Sequence, residues 1–265
     1  MNMKKLLTLS LVIMLAISSK AQEKQSDLYL LFEFMQVDDE NGSDYWAVEE
    51  FWSGIHKQRV ADKSILGWDL WSLTPAGTKQ GSQYLTVTLF SSLTSMLQAI
   101  GSLDVMGYAK KAYPAMAEKE FNAMMIKTVK SRDIANQVLF KEVNKTKDDF
   151  VMKVGTLATL DIMKQVDDSY EKAENEIFKP WHQEMVDKGK KETWGLLRTI
   201  LPAGTEAYGT HITFSMYKNA QQLAEFMEGS GGGEMDMMIQ LAVKEGLKTR
   251  EWKEVKLARL EKLVR

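Results

Sequence analysis

The sequence predicts an α+β fold made of two copies of one β-α-β-β-α-β unit. Three observations carry that prediction: an internal repeat, one shared order of strand and helix patterns, and an N-terminal segment outside the repeat. Residues 55–73 align with 181–199 at a constant offset, matching His56 with His182, Val60 with Val186, Trp68 with Trp194 and Leu70 with Leu196. One inserted residue later, Pro75-Ala76-Gly77-Thr78 matches Pro202-Ala203-Gly204-Thr205, and Thr86 then matches Thr213. Upstream, Ala47 and Glu50 match Ala173 and Glu176; downstream, Ser131-Arg132-Asp133 resembles Thr249-Arg250-Glu251. No single match is diagnostic, but all fall in one order at nearly fixed spacing, as a duplication requires.

Each copy opens on an extended stretch rich in strand formers, residues 28–37 and 150–157. A helix follows in each. Val48, Phe51, Trp52, Ile55 and Val60 recur at helical spacing, as do Val166, Tyr170, Ala173, Ile177, Trp181 and Met185. Two strands come next, joined by the Pro-Ala-Gly-Thr loop, where Pro fixes φ and Gly permits positive φ. A second helical region occupies about residues 93–129, interrupted near Gly101 and Pro114. Its counterpart occupies about 220–245, interrupted at Gly231-Gly232-Gly233. A closing strand follows at 134–143 or 252–260, and the charged residues 144–149 read as the linker. The expected organisation is residues 1–21 as signal peptide, 22–146 as the first ferredoxin-like unit and 147–265 as the second.

This order is the split-βαβ arrangement of ferredoxin-like units. Helices on one face of each antiparallel sheet leave the other face bare, and a second copy can cover it. In element order and duplication the chain resembles the dimeric α/β-barrel superfamily, in a tandem version where one chain supplies both halves. The resemblance implies an α/β barrel. It also allows the activities of that superfamily, which include cofactor-independent quinol monooxygenases, haem-degrading monooxygenases, chlorite dismutase relatives and muconolactone isomerases. A fold of this kind does not fix the function.

The N-terminus reads as an export signal. Lys4 and Lys5 precede an apolar stretch at 6–17, and Ser18, Ser19 and Ala21 supply small residues, so cleavage is expected after Ala21. The apolar stretch is shorter than the roughly 20 residues of a spanning helix, and the expected location is periplasmic or secreted without a stable membrane anchor. Residues 1–21 carry three Lys and no acid, so the remaining 244 residues hold 31 basic against 36 acidic side chains, a net charge of −5. An acidic chain without a basic run is a poor nucleic-acid binder. With no Cys, disulfides, thiolate zinc sites and Cys nucleophiles are excluded.

Candidate site residues follow from the repeat. Leu85, Val87 and Leu89 alternate with Tyr84, Thr86, Thr88 and Phe90; Ile212, Phe214 and Met216 alternate with His211, Thr213, Ser215 and Tyr217. The aliphatic set is expected to face the helices and the hydroxyl-aromatic set to line a partly polar cavity between the sheets. Alternatively, Thr and Tyr are there as good strand formers. His56, His182 and His211 are the candidate catalytic residues. Gly54 and Pro180 each precede a His by two positions, so a kink or unwinding is expected there. His56 and His182 read either as site groups (acid/base, ligand contact or haem ligand) or as boundary His bonded to backbone. Trp68 and Trp194 read as ligand walls or as core, and Arg198, aligned with Ser72, as an anion clamp or a surface Arg.

The pairs Asp38-Asp39 and Asp167-Asp168 suit helix N-caps, and no His lies at ligand spacing, so no metal site is expected. Met124, Met125, Met235, Met237 and Met238 read as packing between helix and sheet. No nucleophile elbow, phosphate loop, zincin motif or dinucleotide fingerprint occurs. The leading expectation is an exported protein that binds a small apolar or aromatic ligand without a resident cofactor. The alternatives are a cofactor-independent monooxygenase or isomerase on a quinone-like substrate, and a scaffold with a self-filled barrel. Haem is the one cofactor left open, and a homodimer the one protein partner.

Overall fold

The structure, a computed structural model, describes residues 27–77, 79–229 and 237–265. The segment expected to be an export signal (residues 1–21), Thr78, Gly231-Gly232-Gly233 and Met235 lie outside the described residues. The first half holds β1 (Tyr29–Gln36), α1 (Gly42–Ala61), β2 (Gly67–Thr74), β3 (Tyr84–Phe90), α2 (Leu93–Ser102), α3 (Val105–Ala112), α4 (Glu118–Ser131) and β4 (Asp133–Lys145). The second holds β5 (Leu157–Gln165), the composite helix α5, β6 (Thr193–Leu201), β7 (His211–Tyr217), α6 (Ala220–Gly229), α7 (Met237–Leu247) and β8 (Arg250–Val264). Helix α5 consists of Tyr170–Ala173, a π-helical turn at Glu174–Phe178, and Lys179–Asp187.

All eight strands form one closed antiparallel barrel in the order β1-β3-β2-β8-β5-β7-β6-β4. Each half contributes a four-stranded ferredoxin-like sheet, β4-β1-β3-β2 or β6-β7-β5-β8. The halves are stitched edge to edge by the β2–β8 and β4–β6 pairings. Closure leaves no unpaired sheet edge, the usual liability of an open sheet.

Every strand sends apolar side chains inward. Leu30, Phe32, Trp71, Leu85, Phe140, Leu160, Leu197, Ile212 and Leu260 belong to one buried cluster. Leu89, Phe214 and Met216 pack against it. This reverses the expected facing: Leu85, Val87 and Leu89 with Ile212, Phe214 and Met216 point into the barrel. The set Tyr84, Thr86, Thr88 and Phe90, with His211, Thr213, Ser215 and Tyr217, lies under the helices. Tyr84 and Phe90 pack with Tyr45 of α1 and Met96 of α2, and Tyr217 packs with Leu223 of α6. The interior of this eight-stranded barrel is walled mostly by apolar side chains, so a hydroxyl there finds few partners. In the helix-facing layer Thr86 donates to Glu33 at 3.2 Å and Thr213 to Asp161 at 3.3 Å.

Other expectations shift locally. Residues 150–156 are not strand. Gly155 has φ +92, β5 begins at Leu157, and Phe150 and Met152 turn to the end of the barrel. The closing strands are longer than expected because β4 and β8 each pair on both sides. Helix α1 runs through Gly54 without a break; a Cβ there would collide with the Tyr113 hydroxyl. That hydroxyl donates to the Phe51 carbonyl at 3.1 Å, so this glycine admits a ring rather than kinking the helix. The breaks after Ser102 and before Glu118 fall where expected, with Ser92 and Asp104 capping α2 and α3. Asp167 accepts from the Ser169 amide at 2.8 Å, whereas Asp38 makes no side-chain cap bond. Met124 and Met125 pack beside α1, whereas Met237 and Met238 are largely exposed.

Candidate functional site

The helix-facing layer of each half is built on a repeated frame. In the first half Glu49 of α1 pairs with Arg132, and both are largely buried beside Tyr45 and Trp52. In the second, Glu174 pairs with Arg250, which stacks 4.0 Å over Phe178 and lies near Tyr170. Tyr45 and Glu49 thus correspond to Tyr170 and Glu174 at an offset one residue shorter than that of His56 and His182. The extra residue is absorbed by the π-helical turn at Glu174–Phe178, the usual signature of a one-residue insertion and one often found at functional sites. The upstream matches of Ala47 with Ala173 and Glu50 with Glu176 are therefore out of register.

Beyond the turn the frame resumes. The His56 ring stacks on Trp68 at 4.8 Å and the His182 ring on Trp194 at 4.7 Å. Each Nδ1 meets a cation: Arg59 at 3.2 Å from His56, Lys191 at 3.1 Å from His182. Burial, then the neighbouring cation, holds both imidazoles well below the usual histidine range. The cations have different origins. Arg59 lies one turn along α1, whereas Lys191 occupies the position that buried Ile65 holds in the first half.

Lys191 is the most unusual residue in the chain. It is 2% exposed, and its ammonium also donates to Ser215 at 2.9 Å. Phe226 lies 4.1 Å, Trp181 5.4 Å and Tyr217 5.9 Å from its Nζ. Burial pulls Lys191 down to about 7, only partly opposed by Asp161. Burial pushes Asp161 up to about 6 against the pull of Lys191 and Thr213. Burial also raises the phenols of Tyr170 and Tyr217. Two groups that change charge near neutrality thus share one apolar-walled layer, as acid/base sites require.

The remaining candidates are distributed as follows. His182, Trp194, Thr213 and Tyr217 belong to the Lys191 layer. His56, Trp68, Tyr84 and Thr86 lie in the first half's layer, on the other side of the barrel, with Tyr84 stacked on Tyr45 at 4.4 Å. His211 and Arg198 form a third cluster around Glu171, where His211 Nε2 lies 2.9 Å from the carboxylate and Arg198 pairs with it. Burial lowers His211, opposed by Glu171. Arg198 is half exposed and its guanidinium is paired with Glu171. The three His do not form one site, because the repeat places two of them on opposite outer faces.

Sequence reasoning missed Lys191 and Asp161, and named Ser215 only as a member of the hydroxyl-aromatic strand set. The signal for Lys191 was an ammonium aligned with isoleucine inside a repeat, and for Asp161 an acid amid apolar strand residues, mirrored by Glu33.

No family profile and no curated protein matches the chain. Solved structures do. A candidate monooxygenase of Fusobacterium nucleatum subsp. nucleatum superposes with TM-score 0.55 at 10% identity, over 91% of this chain and 95% of that one. An anthrone oxidase-like protein gives 0.51 at 11%, over 91% and 93%. A candidate chlorite dismutase gives 0.50 at 8%, over 90% and 96%. The chain has the α+β barrel fold of these proteins, with the closed eight-stranded antiparallel barrel and outer helices of the dimeric α/β-barrel type.

Haem ligation by the paired His does not fit. Arg59 can only donate, so His56 Nδ1 accepts and the ring proton sits on Nε2, leaving no lone pair for iron. A ligating His instead donates its second N–H to an acceptor. When charged, Lys191 imposes the same tautomer on His182. Among the described residues no group of His, Asp and Glu is placed to hold a metal ion, and no helix is long and apolar enough to cross a membrane.

Proposed function

We propose that the chain is a cofactor-independent oxygenase acting on a small aromatic molecule with an acidic C–H or O–H, with Lys191 as its base. The observation that carries this reading is the buried, near-neutral Lys191 held by His182 and Ser215 under an aromatic wall. The monooxygenase and anthrone oxidase-like descriptions of the structural relatives point the same way. Trp181 of α5 and Phe226 of α6, both half-buried with ring centroids 6.2 Å apart, cover Lys191, so a substrate must part these two rings to reach the amine. The neutral Lys191 amine takes a proton from the ring-activated carbon and becomes an ammonium. Dioxygen adds to the carbanion, Lys191 returns the proton, and loss of water leaves a carbonyl. One CH2 and one O2 thus become one C=O and one H2O. His182, neutral and stacked on Trp194, fixes the amine, and Asp161 stabilises the ammonium while it exists.

Oxygen uptake with anthrone and with naphthohydroquinone tests this reading. Turnover above the uncatalysed rate is expected in the wild type and is lost in Lys191→Met and Lys191→Arg. Undiminished turnover in Lys191→Met overturns the role of Lys191. Saturable binding without oxygen uptake would instead make the chain a carrier of the same ligand class.

A further inference from the structure

Apart from the Lys191 layer, the barrel holds a partly open cavity of about 210 Å³ to which all eight strands contribute. Most of its wall is apolar, including Leu85, Val87, Leu160, Phe214 and Met216, while Glu142, Lys145, Asp148 and Thr193 also line it. At one end it meets the buried Asp69, clamped by Arg265 through two hydrogen bonds of 2.7 and 2.9 Å. The space has a definite origin in sequence. On β5 and β8, Ala158 and Ala258 face each other in register, both buried and both on the cavity wall. At the equivalent place in the first half, β1 and β4 pair Leu30 with Phe140. One copy plugs its side of the barrel, and the other leaves it open.

We infer that this cavity is a binding site for one small, uncharged, apolar molecule of the size of a single aromatic ring. Cavities of roughly 150 Å³ lined by Leu, Ile and Phe stay dry and take up benzene, so the volume here admits a substituted ring and excludes larger ring systems. Apolar walls offer a charged ligand no compensation for lost hydration. Asp69 and Arg265 neutralise one another at that end. The inference rests on the alanine pair and the cavity volume, independently of the oxygenase reading.

Toluene is the probe, titrated by calorimetry and by thermal shift. One saturable site per chain is expected, with a higher Tm in its presence. The double substitution Ala158→Leu/Ala258→Phe, which restores the first half's pair, is expected to weaken binding by about tenfold or more. It should leave the Tm of the free protein unchanged or higher, since it fills empty space. If the double variant does not fold, Ala258→Val carries the same expectations, and failure of that variant to fold would show that the wall has no room. Lys191→Met must leave toluene binding unchanged. A wild type that takes up no toluene, or filled variants that bind it equally, would overturn the assignment.

Discussion

A lysine buried in place of an isoleucine destabilises the fold wherever it has to be charged, and this gives Lys191 a measurable signature. Its folded value of about 7 lies below the 10.5 of an exposed lysine. Between those values the unfolded chain binds the proton and the folded chain does not, so stability rises with pH across that window. The rise should reach on the order of 4 kcal/mol. Urea denaturation from pH 7 to 10 should show it in the wild type and not in Lys191→Met. Turnover should follow the same group, with kcat/KM rising through about pH 7 as the amine loses its proton; a flat profile would remove Lys191 from the chemistry. The buried pair Glu49–Arg132 makes a further test possible. Arg132→Met leaves Glu49 buried without its counter-charge and should cost about 3–5 kcal/mol, much of it regained in Glu49→Leu/Arg132→Met. None of these groups stood out in the sequence. Their chemistry comes from burial, and burial depends on which face of each strand meets the helices. Alternation alone fixes two faces but not which is inward. The hydroxyl-aromatic set looked like a cavity lining only on the assumption that the space between the sheets was the polar one.

At the scale of elements the likeness of the two halves was the most legible feature, because matching helices must touch matching strands at the same positions. His56 and His182 stack on Trp68 and Trp194 in matching geometry for that reason. Its register failed only at the π-helical turn, since an insertion inside a helix leaves no break in hydrophobic periodicity strong enough to see. The turn carries a prediction of its own. Deleting Asn175 should convert Glu174–Phe178 to regular α-helix and restore the first half's spacing between the Glu and the His. One residue is a rotation of about 100° on a helix. The Glu174–Arg250 pair and the His182–Trp194 stack can then both persist only if the helix runs as α1 does. If the turn serves the Lys191 layer, the variant keeps its Tm within a few degrees and loses turnover. If the turn merely accommodates an insertion, activity survives. Circular dichroism melts and oxygen uptake on the same sample separate the two outcomes.

At the scale of the molecule the two halves complete one another, and the barrel is the unit of stability. The first half alone would present the free edges of β2 and β4, which in the whole chain pair with β8 and β6. It would also present the inward face of Leu30, Phe32, Trp71, Leu85 and Phe140 to water. Burying one such side chain contributes about 1.5–3 kcal/mol, so five of them together rival the whole stability of a typical domain, about 5–15 kcal/mol. The half therefore cannot stand as a monomer. It has one ready substitute for its partner, a second copy of itself, because β2 and β8 close the barrel in the same way as β4 and β6 do. Residues 27–146, expressed alone, should accordingly form a homodimer with an eight-stranded barrel or else aggregate. The same holds for residues 147–265, with a poorer outcome expected, since two Ala158–Ala258 walls would leave a larger void and each cavity costs stability in proportion to its volume. Light scattering on the separated halves reads this directly: a folded monomer of either half, with a cooperative thermal transition, would show that closure is not what holds the chain together.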